Sequence, residues 1–317
     1  MLRIHFTPAD LARVRMAPRP APLQELHAAL MTAVTPHQEP LLARWRHRLL
    51  RTLPAAADPL ADLVPAGRPP SFLDVLGDTL TDAFESIRST VPEIIRTDLE
   101  RVYGTGAPPR WIRALHAGEP AAWHTVARAQ RAAYETILAP VWPVVQDMHR
   151  AEFTRHALSV AEHGLATALT ALAPATRLNG AVWEWPATAD RDVRLDGRGL
   201  VLLPTFHWTA GPLLQDHQAR PVVLTYPAGP GLPPAADGPG TDEALTALLG
   251  RTRLEALRLL ATPHTTTELA RALHVSNATA SAHAAALRGA GLITTTRTGR
   301  SVHHERTPLG TLVTGTP

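Results

Sequence analysis

Hydrophobic and polar positions fall into three textures along the chain. From Leu23 to about Leu172 apolar residues recur at helical spacing, in PLLARWRHRLL, in SFLDVLGDTLTDAFESI and in the tract from Ala121 to Leu172, which Pro140 and Pro143 interrupt. This predicts a helical body. Ahead of it, Leu2 to Phe6 alternate like a short strand, and Thr7, Pro8 and Asp10 supply an N-cap, a first-turn proline and an N3 acid for a short helix over DLARVR. After Pro174 the texture changes: AVWEW, RDVRL, GLVLLPTF and PVVLTY are short, apolar or alternating, and separated by Asp, Gly and Pro. They predict three or four strands of a small sheet, which the LRIHF strand can join. The stretch AGPGLPPAADGPG, 228–240, has no periodicity and is rich in proline and glycine, as a linker is. The expected organisation is an α+β, mostly helical chain: a domain over 1–227, a linker over 228–240 and a helical module over 241–317.

In that last module LTALLGRTRLEALRLLA places leucines for one or two packed helices. TTTELARALHV follows, opened by a capping box of Thr265 with Glu268, and its Leu269 and Leu273 face inward. The helix stops at His274 and Val275. Ser276 is placed to cap the next helix and Gly291 to end it, so two helices lie about three residues apart, the spacing of a helix-turn-helix. On a helical wheel Ala280, Ala284, Leu287 and Gly291 form the inward arc of the second helix. Ala278, Thr279, Ala282, His283, Ala285 and Ala286 form the outward arc, flanked by Asn277 and Ser281. Such small side chains let a helix enter a major groove, where Asn, Ser, Thr and His can meet base edges and phosphates. LITTTRTGRSVHHERTPLG then predicts a β-hairpin turning at Thr298–Gly299, with Arg297 and Arg300 beside its tip. A two-stranded wing of this kind, with Arg288, supplies the cationic contacts that the helix lacks.

Charge agrees with that division. Over 241–317 eight arginines face five acids, whereas over 1–227 the count is 23 against 22. The net charge of the whole chain is only +3, and every basic residue is arginine. There is no cysteine, which excludes disulfides, thiolate metal sites and thiol catalysis. The opening MLRIHFTPADLARVR lacks a secretory pattern, and no apolar run reaches the roughly 18 residues of a membrane span. A cytoplasmic protein without membrane contact is expected.

The C-terminal residues resemble the ArsR/SmtB-type winged helix regulators. The likeness runs from about Leu245 to Leu312, and its most specific element is S-x-x-x-x-S-x-H-x-x-x-L-R-x-A-G-L from Ser276 to Leu292. The long region opening in RIHFTPADLARVR ahead of such a module is similar to a group of actinobacterial ArsR-like regulators. The resemblance implies a homodimer that binds operator DNA, with contacts carried over to Asn277, Thr279, Ser281, His283 and the wing arginines. With the cap and the helix-end cation added, the expected DNA-contact set is Ser276, Asn277, Thr279, Ser281, His283, Arg288, Arg297 and Arg300. Ala284 stands where the family usually has leucine. No metal-sensing cysteine motif is present, so no metal response is expected.

Several side-chain clusters outside that module carry chemistry of their own. His149, Glu152 and His156 share a helix face that His163 extends, but His149 and His156 lie about 10.5 Å apart along an ideal helix. A solvated face or a packing contact is expected there rather than a metal. His303 and His304 point to opposite faces of a strand and cannot share an ion. Trp183, Trp185 and Trp208 belong either to a core or to a pocket, and Arg3, Arg13 and Arg15 either to a solvated face or to a DNA contact. No G-x-S-x-G, phosphate-cradling glycine loop or H-E-x-x-H occurs. The expectation is a non-enzymatic, cofactor-free transcriptional regulator that binds double-stranded DNA as a homodimer, with a small-molecule effector possible. The alternative is a ligand-binding or enzymatic N-terminal domain with an accessory winged helix.

Overall fold

The computed structural model describes residues 1–34, 49–64, 69–104, 106–187, 189–217, 220–228, 241–298 and 301–314. The chain divides into two compact units, Met1–Pro233 and Pro234–Pro317. Residues 229–240, which include nearly all of the expected linker, lie outside the described residues.

The first unit opens with strand β1 (Leu2–His5), the one-turn helix α1 (Pro8–Leu11) and β2 (Val14–Met16). The helices α2 (Pro22–Val34), α3 (Pro59–Leu63), α4 (Leu80–Arg88), α5 (Pro92–Tyr103), α6 (Arg110–His116), α7 (Pro120–Ile137) and α8 (Trp142–Thr170) follow. Pro140 and Pro143 do separate α7 from α8, which a short 3-10 turn joins. Within α8 the helix breaks again at Gly164, whose φ of +82° an L side chain rarely adopts. Strands β3 (Arg177–Asn179), β4 (Val182–Trp185), β5 (Arg191–Arg194), β6 (Leu200–Thr205), β7 (Leu213–Gln215) and β8 (Val222–Pro227) complete the unit.

These strands form two sheets rather than the one expected. The first has the order β3-β4-β1-β5 and includes the LRIHF strand, which runs antiparallel to β4 and parallel to β5. The second has the order β2-β6-β8-β7, with β2, β6 and β8 parallel and β7 antiparallel to β8. The split occurs at the turn after β5. Asp196, Gly197 and Gly199 all have positive φ there and redirect the chain into the second layer. Inner faces of both sheets share one core, in which Ile4, Trp183, Val193, Leu202 and Leu224 meet. Every residue of β6 is buried, as a central parallel strand requires. Trp183 and Trp185 lie in this core with ring centroids 5.2 Å apart, so they do not line a pocket.

The helix expected over DLARVR stops at Leu11, and Val14–Met16 pair with β6 instead. A buried carboxylate explains the change. Asp10 closes the capping box on Thr7 (Thr7 N–H donates at 2.8 Å and the Thr7 hydroxyl at 2.7 Å), while its other oxygen accepts the backbone N–H of Gly199 at 2.9 Å. This anchors the end of α1 beside the start of β6, and the β-branched Val14 then continues as an edge strand. Gly199 is obligatory in that contact: a Cβ there would stand 2.7 Å from the Arg13 Cβ. Burial pushes the Asp10 pKa up, but the bonds from Thr7, Gly199 and Gly197 outweigh it and hold the group below the usual carboxylate value.

Asp10→Ala leaves the Gly199 N–H buried and unpaired, and should lower the unfolding free energy by about 2–3 kcal/mol. Urea unfolding at neutral pH measures it. A change within about 0.5 kcal/mol, the size of an ordinary surface substitution, would contradict the anchoring role.

Candidate nucleic-acid interface

The second unit begins with α9 (Thr241–Leu249) and α10 (Arg251–Leu259), separated at Gly250 with a φ of +82°. A two-residue strand β9 (His264–Thr265) leads into α11 (Thr266–Ala272). The Thr265–Glu268 capping box is formed in both directions. α12 (Asn277–Gly289) comes next, then β10 (Ile293–Thr298), β11 (Ser301–Arg306) and α13 (Pro308–Thr314). Leu257, Leu260, Leu269, Leu273, Leu287 and Ile293 fill the core between them.

Local chemistry fixes the turn between α11 and α12. At the end of α11 the Val275 N–H donates to the Ala270 carbonyl (3.0 Å) and the His274 N–H to the Arg271 carbonyl (3.2 Å), a Schellman pattern. His274 occupies the left-handed position, with φ +54°, where glycine is usual. Two residues later the Ser276 hydroxyl accepts the Thr279 N–H at 3.1 Å and caps α12. A second Schellman pattern ends α12, through Leu292 N–H to the Leu287 carbonyl and Gly291 N–H to the Arg288 carbonyl, both at 2.9 Å.

α12 buries Ala280, Ala284 and Leu287. Gly291, expected in that inward arc, is exposed: it belongs to the turn, where its φ of +71° ends the helix. Ser276, Asn277, Ala278, Thr279, Ser281, Ala282, Ala285, Ala286 and Arg288 are exposed, and His283 is half-buried. The solvent face of α12 therefore consists of small and uncharged groups, with one cation at its C-terminal end. Arg297 is exposed on β10. Arg300, with Gly299 of the hairpin tip, lies outside the described residues.

Sequence patterning missed a third strand of the wing. Its sheet has the order β10-β11-β9, with Thr295 opposite His304 and His304 opposite His264. His304 is the residue that joins wing to helices. Its ring is buried, one nitrogen bonding the Thr266 hydroxyl of α11 and the other the Thr295 hydroxyl of β10, each at 2.9 Å. Burial holds its pKa below the usual histidine value, assisted by the nearby Arg288 and His303 charges. The threonines at Thr266 and Thr295 were the available signal, hydroxyl partners on both sides of a strand histidine. The helix α13 was missed as well; there Gly310 packs on the Leu292 carbonyl, where a Cβ would not fit.

The remaining candidates lie in the first unit. His149 and His156 are buried, and the Glu152 carboxylate accepts from the Tyr226 hydroxyl of β8 at 2.8 Å and from Arg155 at 2.8 Å, so these three residues form a packing contact of α8 rather than a solvated face. His163 is exposed. Among the described residues no group of three His, Cys, Asp or Glu side chains is placed to hold a metal. Arg3 reaches Asp192 at 3.4 Å and Arg13 bonds the Gly197 carbonyl, while Arg15 is exposed. Trp208 donates to the Gly211 carbonyl at 2.7 Å within a turn. No described helix is long and apolar enough to cross a membrane.

Residues 250–295 match the family model described as bacterial regulatory protein, arsR family. The match spans α10, α11, α12 and the start of β10, and so contains both Schellman turns and the Ser276 cap. No curated protein and no solved structure matches the chain.

A histidine with a lowered folded pKa contributes stability above its unfolded value of about 6.5, and that stability is lost as pH falls through this value towards the folded one. Amide exchange in β10 and β11, corrected for its intrinsic pH dependence, should accordingly show less protection at pH about 5 than at about 7.5. The His304→Gln variant should show a smaller difference. Equal protection of the native wing at both pH values would remove His304 from its joining role.

Proposed function

We propose, from the premise that residues 250–295 form a DNA-binding helix-turn-helix of arsR type, that the protein is a non-enzymatic transcriptional regulator. It acts in the cytoplasm as a homodimer, each protomer placing α12 in a major groove of a two-fold symmetric operator. The observation that carries this reading is the exposed face of α12. Its alanines and short hydroxyls allow close approach to base pairs, and they offer too little large apolar surface to hold a protein partner.

Roles divide along the interface. Asn277, in the first turn of α12, reads a base edge, with Thr279, Ser281 and His283 following along the groove and Ser276 presenting the capped helix start to the backbone. Arg288, Arg297 and Arg300 supply phosphate contacts, which add affinity without selecting sequence. One helix of this length touches only a few base pairs. A dimer doubles the contacts and spaces the half-sites about 10 base pairs apart. The first unit provides dimer contacts or sensing.

Selection of bound duplexes from a random library should enrich a two-fold symmetric motif. A motif with one unrepeated half-site would contradict the dimeric reading. On the selected duplex, Arg288→Ala should weaken binding to all sequences and shrink the salt slope by about one unit. Asn277→Ala should instead relax preference at one position per half-site, worth about 1–3 kcal/mol. Equal losses on selected and random duplexes for Asn277→Ala would overturn its reading role.

A further inference from the structure

The solvent side of α12 is ordered by position as well as by composition. Ala280, Ala284 and Leu287 are buried and fix which way the helix faces. At about 100° per residue, the centre of the outward side lies opposite those three, and Ala278, Ala282, Ala285 and Ala286 all fall within roughly 55° of it. All four are exposed. The other residue of α12 in that arc is Gly289, at the helix end. Polar residues sit to the sides: Thr279 and Ser281 lie roughly 70–90° from the centre, and Asn277, His283 and Arg288 more than about 100°. Two of the hydroxyls are also partly engaged, since those of Ser276 and Thr279 share a hydrogen bond at 2.8 Å and the Ser276 hydroxyl accepts the Thr279 N–H at 3.1 Å.

A helix so built puts methyl groups, and no hydrogen-bonding side chain, at the point of closest approach to the surface it enters. On the reading proposed above that surface is a DNA major groove. The groove offers one matching group. Base pairs project hydrogen-bond donors and acceptors there, which an alanine methyl would desolvate without replacing the lost partner; the exception is the thymine 5-methyl, with which a short apolar side chain can pack. Contact requires the helix to sit deep, and the arc of four alanines holds no larger side chain to keep it away. From Ala278 to Ala285 the helix rises about 10.5 Å at about 1.5 Å per residue, which covers about three base-pair steps of about 3.4 Å.

We propose that these alanines select sequence: each half-site presents at least two thymine 5-methyls, within about four consecutive base pairs, against Ala278, Ala282 and Ala285. The inference rests on the DNA-binding reading above and adds the chemistry of the bases that it recognises. The full chain is titrated against the duplex enriched from the random library, and against copies in which each thymine in turn is replaced by deoxyuridine in both half-sites. Deoxyuridine pairs in the same way and lacks only the 5-methyl. At a contacted thymine the exchange should weaken binding by about fourfold per methyl, and so by more than about tenfold for the two half-sites together. Ala282→Gly should shrink that thymine-to-deoxyuridine ratio at one position per half-site, and Ala285→Gly at another. The ratio is read within each protein, so a weaker helix or a lower overall affinity in a variant does not produce the effect. Three results would overturn the proposal: an enriched half-site without two thymines in four consecutive base pairs, tolerance of deoxyuridine within about 1.5-fold at every thymine, or ratios unchanged in both variants. A library that enriches no duplex would instead remove the DNA reading, and this inference with it.

Discussion

The helix-turn-helix depends on a chain reversal of four residues, Leu273 to Ser276, between α11 and α12. Val275 and His274 donate back to the carbonyls at the end of α11, and Ser276 immediately caps α12. Hydrogen bonding is thus handed from one helix to the next with little chain between them, and this sets the angle at which α12 leaves. His274 bears the steric cost of a left-handed backbone at the centre of the reversal. With the angle fixed, the small inward residues Ala280 and Ala284 bring α12 close to its neighbours, and Leu287 supplies the one large apolar anchor. The outward face then remains small as well, with Arg288 the one arginine of the helix.

The first unit uses hydrogen-bonded carboxylates in a related way, each fastening a helix to a parallel strand. Asp10 joins α1 to the start of β6. Glu25 of α2 meets the other end of that strand, accepting the backbone N–H groups of Phe206 and His207 at 2.9 Å and the His207 ring at 2.6 Å. Glu152 fastens α8 to Tyr226 of β8. Asp10 and Glu25 are buried and Glu152 is half-buried, each with several donors around it, the condition under which a polar side chain is retained inside a fold.

What was legible in the sequence was local chemistry. The Thr265–Glu268 box, the Ser276 cap and the apolar positions Leu269, Leu273 and Leu287 act over three or four residues, and periodicity records them directly. Long-range pairing was less visible. Nothing within RVRM announces that Val14–Met16 pair with a strand nearly two hundred positions away, because the deciding bond runs from Gly199 to Asp10. The two sheets were read as one, since the turn that separates them depends on positive φ at Asp196 as well as at the glycines. His149, Glu152 and His156 were legible as a stripe, but the burial of the two histidines and the bond from Tyr226 to Glu152 depend on elements distant in sequence, which spacing on α8 does not contain. Gly291 fell on the inward arc of an ideal wheel, yet the helix had already ended at Gly289.

The central claim is that α12 reads sequence while Arg288 and the wing supply salt-sensitive affinity. The most direct measurement is a fluorescence-anisotropy titration of the full chain against the duplex immediately upstream of its own coding region, beside a random duplex of equal length, at about 50 and about 200 mM salt. The account predicts tighter binding to the upstream duplex and a steep loss of affinity on both with added salt. Binding that ignores salt, or no binding to either duplex, would contradict it.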